Sequence, residues 1–259
     1  MTSIDKAEKE NFSVGANLPK RILHLLKDRP LFYLSSVVLI TVLRGIFLKL
    51  LTYPSAPDVF VGTFVSGAVA YIVFQRLERD CTVSIDQVLS QIKKQFLPLV
   101  GIGLVSGLAS VLPKVLFRFV DQEFAELALT ILVFLPLAIL VMLIGATFIA
   151  VVAVCVVEER DFIASFRRSM ELTRSVRWHI CILLIVYSVA FGFPSYLLEN
   201  LFASIIGLLL PSQSLLVEKT SSLLFSGIFS VYMYVISVVI YHDLLELKSS
   251  RRIAESPAE

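Results

Sequence analysis

The chain has 259 residues, of which 57% are apolar and only 17% charged, with a net charge of +2 and a mean hydropathy of +0.84. That balance argues against an ordinary soluble domain. The small, dispersed charge and the lack of zinc-finger, RNA-binding or phosphate-loop spacings argue against a nucleic-acid partner. Apolar blocks long enough to cross about 30 Å of hydrocarbon predict an all-α integral membrane protein.

Residues 1–18 are mixed in charge, and no short apolar segment with a cleavage pattern follows, so the expectation is a mobile cytoplasmic arm and no removable leader. PKRILHLLKDRPLFYL, 19–34, reads as a short surface helix, with Pro19 suited to a first turn and Pro30 turning the chain into a first span at 31–51. Arg44 lies deep in that span. It either snorkels, pairs with Glu199 near the outer end of the fifth span, or borders a polar cavity. The second span, 58–77, carries the small residues Gly62, Ser66 and Ala70 on one ridge suited to close helix approach.

ERDCTVSIDQVLSQIKKQF, 78–96, follows as a polar interruption. Ser84 is a plausible N-cap, Gln87 completes a capping box, and Ile85, Val88, Leu89, Ile92 and Phe96 form one stripe of a helix lying in the membrane surface. The third span, 97–119, ends in Lys114 and Arg118, four apart on one face. They either join an ion network with Asp121, Glu123 and Glu126 or form a basic pocket for a lipid phosphate. The apolar stretch 124–157 exceeds what one crossing needs, and Pro136 divides it, leaving a fourth span at 134–157.

ERDFIASFRRSMELTRSVRW, 159–178, echoes the earlier interruption, pairing Ser84 with Ser165, Leu89 with Met170 and Lys93 with Arg174. Phe162, Phe166, Met170, Thr173 and Val176 share one side of this helix, and Arg167, Arg168, Glu171 and Arg174 the other. Arg167, Arg168, Arg174 and Arg177 either set topology or engage anionic lipid headgroups, with Trp178 as an aromatic-belt residue. A fifth span is expected at 178–198, an interfacial or re-entrant segment at 201–211, a sixth span at 221–242 and a cytoplasmic tail at 246–259.

The predicted fold is therefore six transmembrane helices with three cytoplasmic amphipathic helices, one membrane domain over 19–245 made of three parallel units at 19–77, 84–157 and 161–245. Of the 23 Lys and Arg, 18 lie in the N-terminal segment before the first span, the polar loops at 76–94 and 160–177 and the tail after 245, which puts both termini in the cytoplasm. The histidines His24, His179 and His242 are dispersed, and the three cysteines contain no CxxC pair. No catalytic residue, metal or cofactor is predicted. The expected function is a non-catalytic role in envelope or lipid homeostasis, with membrane phospholipids and a membrane-protein or second-copy partner. The alternative is a small permease with a polar path near Arg44 and Glu199.

The run VVEERD followed by FIASFRRSMELTRSVRW resembles the YciC-like bacterial inner-membrane proteins and the membrane domain attached to some glycerophosphodiester phosphodiesterases. The correspondence rests on Glu158, Glu159, Arg168, Ser169, Met170, Leu172 and Thr173. Leu-Pro-Lys at 112–114 and the proline before the fourth span add to it, while Leu137 departs from the Pro-Gly often found there. The resemblance implies a multi-span protein of the bacterial inner membrane. The hydrolase activity of those relatives belongs to a separate soluble domain that does not fit within this chain.

Overall fold

The structure, a computed structural model, describes residues 18–28, 30–50, 55–79, 83–108, 136, 139, 142–209 and 214–255. Every regular element among them is helical. They are α1 (Leu18–Asp28), α2 (Pro30–Leu50), α3 (Ser55–Arg79), α4 (Ile85–Lys94), α5 (Phe96–Leu108), α6 (Met142–Val157), α7 (Phe162–Thr173), α8 (Arg177–Tyr187), α9 (Phe193–Leu209) and α10 (Ser214–Glu255). A π-helical turn, Ser188–Gly192, joins α8 to α9 without a break.

Proline and capping chemistry account for most of the boundaries. Pro30 opens α2, where its missing N–H would have no intrahelical partner in any case. Ser84 caps α4 as its sequence suggests: its hydroxyl accepts from the Gln87 amide at 3.3 Å, and Gln87 Oε1 accepts from the Ser84 amide at 3.0 Å. Pro98 follows in the first turn of α5, where its ring opposes continuation of the α4 ladder, and the two helices meet at 71°. Pro194 has the opposite outcome. The carbonyl it would strike, that of Ala190, lies inside the π-helical turn, whose wider winding lets the helix run on to Leu209.

The main core forms around α10, which packs against α2, α3 and α9 and, near its C-terminal part, against α1, α6 and α7. Val69 and Val73 of α3, Ala150 and Val154 of α6, and Val235, Ile236, Val239 and Ile240 of α10 are buried in it. The Gly62 ridge packs here: a Cβ on Gly62 would stand 2.6 Å from the Tyr234 hydroxyl, and Ser66 and Ala70 are buried. On α10, Gly227 makes a close approach to Thr41 and Val37 of α2. A second core joins Leu99 and Ile102 of α5 to Val151, Cys155 and Val156 of α6.

Two predictions are corrected. Among the described residues, only Arg177–Phe202 and Lys219–Ser250 are long and apolar enough to cross a membrane, and a third crossing arises only if the bent pair α4 and α5 counts as one. Pro30–Leu43 and Met142–Val157 are shorter apolar helices. The six-span assignment fails because apolar windows record composition and not helix breaks. The separate element expected at 201–211 is, through Leu209, a continuation of α9, while 210–213 lie outside the described residues.

The three parallel units are not borne out either, because the short helices dock differently. α1 buries Leu18, Ile22 and Leu25 against the α10 core; α4 buries Val88 and leaves Ile85 and Leu89 exposed. Of the stripe predicted on α7, Thr173 and Val176 are buried, Phe162 and Phe166 pack against the second core and Met170 is exposed, while Ser165, Ser169 and Leu172 are buried beside them. Ser84 caps its helix, whereas its proposed equivalent Ser165 lies inside α7 and donates to the Asp161 carbonyl at 2.9 Å. Residues 1–17 of the arm, Lys114 and Arg118 with their acidic neighbours, and most of 124–141 lie outside the described residues.

Candidate functional site

The corner between α6, α7 and α8 gathers the residues singled out by the second interruption. α6 ends at Val157, and Glu158, its C-cap, accepts from Arg168 Nε at 3.2 Å through both oxygens, from Arg160 Nε at 2.7 Å and from the Tyr241 hydroxyl at 3.1 Å. The Glu158 and Arg168 side chains are only 17% and 18% exposed. A carboxylate so nearly enclosed needs these donors, because burying an unpaired charge is expensive. Arg168 is thus an internal tie between α7 and the end of α6.

Glu159 follows with φ 52°, in the left-handed region usually left to glycine at a helix C-terminus. Its carboxylate is held by Lys94 and by Gln91 Nε2 at 3.3 Å, and those hydrogen bonds, Lys94 first, keep its pKa below the ordinary carboxylate value. Gln91 Nε2 also donates to the Val156 carbonyl at 2.8 Å, satisfying one of the orphan oxygens at the end of α6. Ser169 donates to the Thr147 carbonyl at 2.7 Å, and Thr173 to that of Ser169 at 2.9 Å, so the buried polar stripe of α7 is satisfied.

Arg167 and Arg174 face outward, while Arg177 is half-buried. Arg167 is 81% exposed and pairs with Glu171, one turn along at 3.5 Å. Arg174 is exposed and has no ion-pair partner among the described residues. Arg177 is half-buried: its Nη2 reaches the Met170 carbonyl at 3.5 Å, and its Nε is buried with no hydrogen-bond partner among the described residues. Beside them Ile163, Met170 and Trp178 are exposed, Trp178 by 63%. Cationic groups with spare donors therefore border exposed apolar side chains at the start of the membrane-length stretch Arg177–Phe202. Of the pairing expected between Arg44 and Glu199, Glu199 is half-exposed on α9, and the Arg44 side chain on α2 falls outside the described residues.

A second charged group lies where α1, α3 and α10 meet. Arg21 Nη1 binds Asp243 Oδ1 at 2.5 Å, Arg76 binds Asp28 at 3.0 Å, and His24 is 3.6 Å from Asp28. Arg21, His24, Asp28 and Arg76 line a cleft of about 200 Å³. Sequence reading missed this grouping because its members come from three helices, Arg76 lying 48 positions from Asp28 and Asp243 222 positions from Arg21.

Over residues 27–244 the chain matches the family described as domain of unknown function DUF7847, and it belongs to that family. Neither a curated protein nor a solved structure matches it.

Proposed function

We propose that this DUF7847 member is a non-catalytic protein of the bacterial inner membrane that holds anionic phospholipid at the α7–α8 corner, with both termini on the cytoplasmic face. Its helical fold and its apolar helices of membrane length provide the setting. The observation that carries the reading is that exposed Arg174 has no ion-pair partner among the described residues and stands three positions from half-buried Arg177, next to exposed Met170 and Trp178. Phosphate oxygens match the guanidinium donors, and an acyl chain matches the apolar border. Arg168 is excluded from the headgroup site because Glu158 occupies it.

Kinship with the YciC-like proteins belongs to the same proposal. It rests on a segment whose Glu158, Arg168, Ser169 and Thr173 here tie α6, α7 and α10 together. A permease path near Arg44 and Glu199 has no supporting contact among the described residues.

The test is native mass spectrometry of the chain from nanodiscs containing equal phosphatidylglycerol and phosphatidylethanolamine. The expected result is preferential retention of phosphatidylglycerol, lost in Arg174→Gln/Arg177→Gln and kept in Arg167→Gln. Equal retention of both lipids by the unmodified chain refutes the proposal.

A further inference from the structure

One residue beyond Tyr241 on α10, His242 stands among carboxylates from two helices. Its ring and Asp243 are about nine-tenths buried, with side chains 10% and 9% exposed. Nδ1 is 3.8 Å from Asp243 Oδ1 and 3.7 Å from Glu246 Oε1, and a ligand atom from each of the three residues lies within 4.8 Å of the others. These separations are too long for hydrogen bonds. They are close to the edge of a tetrahedral shell, about 3.4 Å for metal–ligand bonds of about 2.1 Å.

The opposite ring nitrogen supplies an independent observation. Nε2 faces Glu78 Oε2 of α3 at 3.7 Å. A carboxylate there suits a histidine that binds metal through one nitrogen and donates its remaining N–H from the other. Glu246 is 68% exposed, which leaves the site open to solvent on that side. Three carboxylates surround the imidazole, and the facing positive group is Arg21, whose Nη1 is 2.5 Å from Asp243 Oδ1 and whose Nη2 is 3.4 Å from His242 Nδ1. The guanidinium lies along the edge that a cation would share.

We infer that His242, Asp243 and Glu246 form a binding site for a first-row divalent cation, with Glu78 orienting the imidazole, and that Arg21 competes with the cation for the same edge. The nitrogen and oxygen donor set suits zinc. Cation entry displaces Arg21 from Asp243 and weakens the attachment of α1 to α10. No step depends on lipid at the α7–α8 corner.

The experiment uses the untagged full chain in nanodiscs, titrated with Zn2+ against a chromophoric chelator, with amide hydrogen exchange followed over Leu18–Asp28. One zinc per chain is expected. Affinity should fall at least about tenfold in His242→Ala and in Glu246→Gln, and about 10–100-fold in Glu78→Gln. Arg21→Gln should bind zinc more tightly, and zinc should speed exchange in α1 of the unmodified chain. Because Glu246 is largely exposed, Glu246→Gln tests ligation if His242→Ala does not fold. Zinc binding that is absent from the unmodified chain, or unchanged in Glu246→Gln, overturns the site. Unchanged or weaker binding in Arg21→Gln, or unchanged exchange in α1, overturns the competition.

Discussion

Glu159 has a backbone conformation that costs an L-residue about 1–2 kcal/mol, which glycine would avoid. Its side chain offsets this strain by anchoring Lys94 and Gln91 of α4 to the end of α6. Because these bonds depress its folded-state pKa, their stabilisation is fully present above the ordinary carboxylate value of about 4.3 and is lost as pH falls through the folded-state value. Thermal unfolding in detergent should therefore separate the unmodified chain from Glu159→Gln at neutral pH, with the difference closing below about pH 4. A gap that persists or widens in acid contradicts the assignment. Glu158 is a sterner case because it is nearly enclosed. Arg168→Met should destabilise by about 1–3 kcal/mol, since Arg160 and Tyr241 still hold the carboxylate. Glu158→Gln/Arg168→Met should lose less than the sum of the single changes, read from chemical denaturation in mixed micelles.

At the scale of elements, helix contacts in lipid depend on close packing and satisfied polar groups more than on the hydrophobic effect. The α5–α7 contact illustrates this: a Cβ on Gly101 would meet the Phe162 ring at 2.9 Å. Gly101→Val should destabilise by about 1–3 kcal/mol through overpacking, and Phe162→Leu in the same chain should recover part of the loss in thermal unfolding. Such local chemistry was partly legible in the sequence. Ser84 and Gln87 announce a capping box because both partners lie within one turn, and Pro30 announces a helix start. The face that α7 buries was only partly legible: Thr173 and Val176 lie on it as expected, but the hydroxyls of Ser165 and Ser169 are satisfied by carbonyls of α6 and of α7 itself, so they pack there too, where apolar periodicity gave no place to serine.

For the whole molecule, composition announced helices of membrane length, while the number and order of crossings depended on where the chain bends. Pro98 and Pro194 are the same residue type in apolar surroundings, yet one marks a 71° bend and the other is accommodated by a π-helical turn. The candidate site shows the same divide. Arg167, Arg174 and Arg177 were found from their spacing, but the pairing that withdraws Arg168 from the surface needs Glu158 and Tyr241, 83 positions apart.

Tyr241, His242 and Asp243 are consecutive, yet they address three different neighbours: Glu158 at the end of α6, Glu78 of α3 and Arg21 of α1. Side chains of successive helical residues point about 100° apart, so this single turn of a 42-residue helix works like a key cut on three sides. Turning α10 by one residue would withdraw all three teeth together. Torque applied anywhere along that shaft is therefore delivered to α1, α3 and α6 at the same moment.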